Sequence, residues 1–122
     1  MHALRVLFAA VAVLFLVGIA YQVYLAGSAL FAGGRWASHA DFGFLVAFVP
    51  LLLVVGALLA RAGRRMVLLC VGVLVLTEVQ TFLPGARDGL PWLAALHPVN
   101  ALLIFVIGTV VALRAVTAAR TA

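Results

Sequence analysis

The feature that most constrains this sequence is a series of four apolar runs, each long enough to cross a lipid bilayer and nearly free of charge. Apolar runs of about 18 residues or more indicate transmembrane helices, because a helix makes its backbone hydrogen bonds internally. We predict spans over residues 5–30, 38–60, 66–83 and 92–116. The links between them are short, which makes neighbouring helices antiparallel. The sequence therefore predicts an all-α integral membrane protein, a four-transmembrane-helix up-down-up-down bundle in which residues 1–122 form one domain.

The composition excludes several classes of protein. Hydrophobic residues make up 68% of the chain and charged residues 9%, so nothing remains for a soluble domain. The net charge of +5 comes from arginines scattered between the spans, whereas a nucleic-acid site gathers its cations on one face. Cys70 is the only cysteine, which excludes a disulfide framework. The partner that the composition indicates is the lipid bilayer, not a nucleic acid.

The arginines also predict an orientation in the membrane. Two arginines, Arg35 and Arg87, fall at one end of the predicted bundle. The other six fall at the opposite end: Arg5, Arg61, Arg64, Arg65, Arg114 and Arg120. Because positive residues concentrate on the cytoplasmic side, we expect a multi-pass protein of the cell membrane with both termini in the cytoplasm.

An internal repeat is the most specific signal in the sequence. The chain has only two glutamines, Gln22 and Gln80, and a histidine follows each of them by 17 positions, His39 and His97. The repeat period is 58 residues, and further pairs agree with it: Tyr24 with Phe82, Leu25 with Leu83, Gly27 with Gly85, and Ser28 with Ala86. We interpret the bundle as two parallel helical-hairpin repeats, related by an axis along the membrane normal.

The repeat predicts a cofactor site. It brings His39 and His97 to the same depth near the outer face, on opposite sides of the axis, where two imidazoles can be the axial ligands of one haem b. Small, polar or charged residues of the same region are candidate cofactor-binding residues: Gln22, Gly27, Arg35, Gly43, Glu78, Gln80, Gly85, Arg87 and Asn100. Glycines leave room for a flat macrocycle, and arginines suit its propionates. Glu78 has three open roles: a proton relay, a neighbour of a propionate, or a helix-end residue.

The motifs carry a resemblance to a known family. The segment from Gln80-Thr81-Phe82-Leu83-Pro84-Gly85 to His97-Pro98 resembles the third and fourth helices of one half of haem A synthase, and the segment from Tyr21-Gln22 to His39 resembles its first and second. The chain is also similar to a family of small uncharacterised four-helix membrane proteins, through His39-Ala40 and His97-Pro98-Val99-Asn100. The resemblance implies haem ligation by the two histidines. Trp36 stands where the synthases carry an acidic residue, so oxidative porphyrin chemistry is not implied.

Three functions follow from these expectations. The first is a membrane b-type cytochrome that transfers electrons, with a quinol or a redox protein as its partner. The second is a non-haem accessory or structural subunit of a larger membrane complex. The third is an enzyme, either a quinone-linked reductase or a haem-modifying enzyme. An electron-transfer protein fits the residues better than a stand-alone enzyme, and a homo-oligomer remains open.

Overall fold

The computed structural model describes residues 1–121, which are helical apart from short links and contain no strand. A 3-10 helix over Leu83–Asp88 extends the end of α4. The α-helices are α1 His2–Phe31, α2 Trp36–Ala47, α3 Val49–Leu59, α4 Arg64–Phe82, α5 Pro91–Ala94 and α6 Leu96–Arg120.

Four helical segments are long and apolar enough to span a membrane, which confirms this part of the prediction. They are His2–Phe31, Trp36–Leu59, Arg64–Asp88 and Pro91–Arg120. Each one begins one to three residues earlier than the sequence predicted, and all but the second also end later, because the helices continue into the polar links. Gly33 and Gly63, with φ of 70° and 86°, form the turns that follow the first two spans.

The sequence predicted one continuous helix for the second span. The structure instead shows an interruption at Phe48. Pro50 explains the interruption, because proline has no N–H to donate to the carbonyl of Val46, four residues before it. The α3 helix begins at Val49, with Pro50 in its first turn, where a missing N–H costs least. The histidine-bearing α2 is thus a separate short helix.

The four spans form a square in cross-section. The first span packs against the second and the fourth, and the third does the same. Within residues 1–121 the backbones of α1 and α4 do not come into contact, nor do those of α2 and α6. The second and fourth spans are therefore diagonal partners, so side chains from α2 and α6 can meet only across the centre of the bundle.

The tightly packed core fills the middle of the bundle and one of its two halves. Its largest fully buried side chains, with less than 2% of their surface exposed, include Phe15, Leu53, Val73, Ile104 and Val111. Leu53, Val73 and Val111 lie in the half nearer the six arginines, which we call the arginine-rich half, and Phe15 and Ile104 lie near the middle of their spans. In the opposite half, which carries His39 and His97, no residue in the ranges 16–31, 36–45 and 84–103 is fully buried. In this histidine half Leu83 is buried, Tyr21 packs against Phe42, and hydrogen bonds from the two histidines join neighbouring helices.

Candidate functional site

His39 and His97 face each other across the diagonal of the bundle. Their ring centroids are 6.1 Å apart, and the ring planes are inclined by 71°. His39 lies one turn into α2, and His97 is the second residue of α6. Both side chains are partly buried, and Trp36 packs edge-on against His39 with a centroid distance of 6.0 Å. The two imidazoles thus meet across the bundle, and their role as a ligand pair stays a prediction.

Each imidazole is oriented by a backbone carbonyl of the preceding helix. The Nδ1 of His39 lies 3.0 Å from the carbonyl oxygen of Gln22, and the Nδ1 of His97 lies 3.2 Å from that of Gln80. A carbonyl oxygen can only accept, so Nδ1 carries the proton in both rings. In a neutral imidazole the lone pair is then on Nε2, the arrangement found when histidine binds a metal.

A proline explains why the carbonyl of Gln80 is available. In a regular helix this carbonyl would accept a hydrogen bond from the N–H four residues later. That residue is Pro84, which has no N–H, and the chain changes to the 3-10 helix at Leu83. The local sequence thereby leaves an unpaired acceptor at the depth where His97 needs one.

The side chain of Gln80 forms a network beneath His97. Its Nε2 donates to the carbonyl of His97 at 2.9 Å, and its Oε1 accepts from Asn100 Nδ2 at 2.8 Å. The same Asn100 amide nitrogen donates to the carbonyl of Leu76 at 2.9 Å. These bonds join α4 to the start of α6, so they fix both the backbone and the ring of His97.

The corresponding glutamine of the first half has a different environment. Phe42, 58 positions before Asn100, occupies the place of the amide donor and packs edge-on against Tyr21. As a result Gln22 Oε1 is buried and has no hydrogen-bond partner among the described residues. Gly43 lets the amide of Gln22 lie directly against α2, since a Cβ at this position would collide with Nε2. The space at Gly43 is therefore filled by Gln22.

The other candidate residues are less close to the pair. A Cβ added at Gly27 or Gly85 would meet no atom within 4 Å, and Gly85 is exposed, so packing does not require either glycine. Arg35 and Arg87 are exposed, and Arg87 makes an exposed 3.5 Å ion pair with Asp88. The expected role of both arginines towards haem propionates stays a prediction.

Glu78 lies on the outside of the bundle. It belongs to an exposed stripe of α4, which we call the outer stripe of α4: Leu68, Val71, Val75, Glu78 and Phe82. The opposite side of α4 carries the buried residues Met66, Cys70, Val73 and Thr77. Glu78 is therefore on the surface that faces away from the histidine pair.

The histidine pair suits a haem better than a bare metal ion. Imidazole nitrogens bind metals at about 2 Å, so two rings on opposite sides of one iron have centroids about 6 Å apart, close to the separation here. Residues 1–121 contain no cluster of three or more His, Cys, Asp or Glu side chains that could hold an ion. A haem brings its own four in-plane nitrogens and needs only two axial ligands. The donor set, two imidazoles with Nδ1 bound to backbone carbonyls, fits this group.

Sequence reasoning missed the groups that orient the rings. The spacing of 17 residues between glutamine and histidine singled out the glutamine side chains, but it is the glutamine carbonyls that bind Nδ1. The signal that could have identified one of them is Pro84, because proline frees the carbonyl four residues before it. For Gln22 the residue four positions on is Ala26, so the sequence offers no such signal.

The fold and the site together define a small four-helix protein with helices of membrane-spanning length and a histidine pair across its centre. The chain belongs to DUF6220, a family of unknown function, whose profile matches residues 22–87, more than half of the chain. The matched segment includes Gln22, His39 and Gln80 and ends before His97. No curated protein and no solved structure matches the chain.

Proposed function

We propose that this chain is a membrane b-type cytochrome that binds one haem b between His39 and His97 and transfers electrons. The observation that carries the proposal is the facing pair of imidazoles, 6.1 Å apart, with both Nδ1 atoms engaged by helix carbonyls. This leaves one Nε2 lone pair on each side of the bundle axis. The resemblance to one half of haem A synthase suggests the same ligand pair.

The haem would supply an iron that alternates between ferric and ferrous states by one electron. The protein's own residues would hold its position and set its potential through the axial histidines, their hydrogen bonds and the apolar surroundings. A quinol or a reduced protein is the expected donor, and a second redox protein the acceptor. Because His39 and His97 would hold the haem from both sides, this site would suit electron transfer rather than a reaction at the iron.

The proposal includes the repeat and the orientation of the bundle. The hydrogen bonds from His39 to Gln22 and from His97 to Gln80 have the same sequence separation and the same atoms. The diagonal placement of α2 and α6 is what a twofold axis along the bundle requires. With six arginines at the other end, the positive-inside rule puts the histidine half on the outer side and both termini in the cytoplasm.

Absorption spectroscopy of the purified chain, expressed with ample haem, tests this function. We expect a haem spectrum that changes on reduction by dithionite or a quinol. His39→Ala and His97→Ala should each abolish tight haem binding, because one remaining imidazole cannot hold a six-coordinate iron in this site. His2→Ala is the matched control, since His2 is exposed at the start of α1 and should leave the spectrum unchanged.

Two outcomes would refute the haem proposal. One is a colourless wild-type protein under these conditions, provided that circular dichroism shows it to be helical. The other is retention of haem by the double variant His39→Ala/His97→Ala. Loss of haem from the His2→Ala variant would show that the assay reports general damage.

One observation favours a second candidate, a subunit of a larger membrane complex. Glu78 lies 14 residues beyond Arg64, about 21 Å along the helix, within a hydrocarbon layer of about 30 Å. A carboxyl group that faces lipid at this depth is costly, so the outer stripe of α4 suits a protein partner. We expect Glu78→Leu to reduce the particle size of the chain extracted from its own membrane in mild detergent, whereas Val75→Leu should not.

A further inference from the structure

A groove runs between α4 and α6 at the arginine-rich end of the bundle. Its lining residues are Arg65, Leu68, Leu69, Val110 and Arg114. Arg65 is the second residue of α4, and Arg114 lies about two turns before the end of α6. Both arginine side chains are exposed, so their guanidinium groups are available to a ligand at the membrane surface.

The order of residues along the groove is the same on both helices. On α4 the cation, Arg65, is nearer the end of the bundle, and Leu68 and Leu69 follow one turn towards its middle. On the antiparallel α6, Val110 is nearer the middle and Arg114 nearer the end. The groove is therefore cationic at the membrane surface and apolar below it, which complements the anionic head and acyl chain of a phospholipid.

Charge balance also favours an anion at this groove. The three acidic residues of the chain, Asp41, Glu78 and Asp88, are all in the opposite half. In the part of the chain described, the ion pair that forms is Arg87 with Asp88, at the far end. Two guanidinium groups that border one groove without a carboxylate repel each other, and a shared phosphate would relieve that repulsion.

We propose that this groove binds an anionic phospholipid, with its phosphate between Arg65 and Arg114 and an acyl chain along Leu68, Leu69 and Val110. Basic sites between transmembrane helices recognise lipid head groups in this way. Arg114 also borders a shallow groove on the surface of α6, lined by Leu113, Thr117 and Ala118. Because Thr117 and Ala118 lie one turn nearer the end of the bundle than Arg114, this second groove lies on the head-group side of the proposed site.

Lipid binding to the full chain in detergent tests the proposal. The probes are phosphatidylglycerol, phosphatidylcholine with the same acyl chains, and inorganic phosphate, and the readouts are native mass spectrometry and the thermal midpoint. We expect phosphatidylglycerol to be retained and to raise the midpoint, with little effect of the other two. The variant Arg65→Gln/Arg114→Gln should retain it about 30-fold less, given what basic residues contribute at an anionic lipid surface.

The matched control is Arg61→Gln/Arg64→Gln, which removes the same charge at the same end but outside the groove. It should retain phosphatidylglycerol like the wild type, and Arg65→Lys/Arg114→Lys should retain most of it.

Equal losses in the two glutamine variants would overturn the proposal in favour of diffuse charge attraction. Equal retention of phosphatidylcholine would overturn it as well, and an equal effect of inorganic phosphate would indicate an anion site rather than a lipid site. If the glutamine variant at the groove does not fold, loss of retention in Arg65→Ala alone, compared with Arg64→Ala, decides the question.

Discussion

His39 and His97 are each held at two points, by the helix that carries the residue and by the Nδ1–H bond to a carbonyl of the neighbouring helix. Movement of either ring away from the centre would break that bond and expose an unpaired carbonyl. A ligand that needs a free axial position on the proposed haem must displace one of these rings. The two-point attachment therefore predicts how the reduced protein responds to carbon monoxide.

We expect a low-spin spectrum in both redox states and no prompt change when carbon monoxide is added to the reduced protein. The physical reason is that both axial positions would be filled by rings with fixed orientations. Absorption spectra recorded over minutes after addition check this. A high-spin ferrous spectrum with rapid carbon monoxide binding would show that one histidine is not a ligand, and would favour a gas sensor or an enzyme.

Gly43 provides a second prediction at the scale of single residues. Alanine at this position would collide with the amide of Gln22, so Gly43→Ala should lower the free energy of unfolding by about 1–3 kcal/mol, as overpacking does. Gly72→Ala is the matched control in another helix, because a Cβ there meets open space. It should be neutral or stabilise the protein by up to about 1 kcal/mol. Denaturant unfolding in detergent measures both values, and equal effects of the two substitutions would contradict the prediction.

At the scale of elements, the end of α4 matters most, because the change to the 3-10 helix releases the carbonyl that orients His97. Pro84→Ala would supply an N–H four residues after Gln80 and so create a competing donor for this carbonyl. The hydrogen bond from His97 would weaken, and a less basic ligand stabilises ferric iron less. We expect the reduction potential of the haem to rise by tens of millivolts in a redox titration.

Pro91→Ala is the control for this experiment. Pro91 is the first residue of α5, where a missing N–H interrupts no helical hydrogen bond, so its replacement should leave the potential unchanged. Equal shifts in the two variants would mean that the loop between α4 and α6, rather than the freed carbonyl, sets the potential.

The elements also show how far the sequence predicts this molecule. The four apolar runs predicted the four long helices, and the shared spacing of 17 residues predicted that the two histidines meet, because helix length and antiparallel packing fix their level. The break at Phe48 was missed, although Pro50 indicated it. Glu78 on the outer stripe of α4, and the groove between Arg65 and Arg114, depend on the rotation of each helix. A nearly uniform apolar sequence carries little information about that rotation.

For the whole molecule, the proposed orientation can be tested with reporter fusions. A reporter fused after Thr121 and another inserted at Gly63 should both report a cytoplasmic location, because both sites adjoin the six arginines. A reporter at Gly89 should give the opposite result and serves as the internal control. An extracytoplasmic signal from either of the first two sites would contradict the orientation.

Most fully buried side chains lie away from the histidine end of the bundle, and this distribution bears on the order in which such a protein assembles and takes up its proposed haem. Phe15, Leu53 and Val73 are fully buried without any contact to the histidine pair, so we expect the bundle to assemble without the proposed haem. The opposite ends of the helices lack a comparable core and can separate at lower cost. We therefore expect the proposed haem to enter a bundle that has already assembled, from the end that carries the histidines.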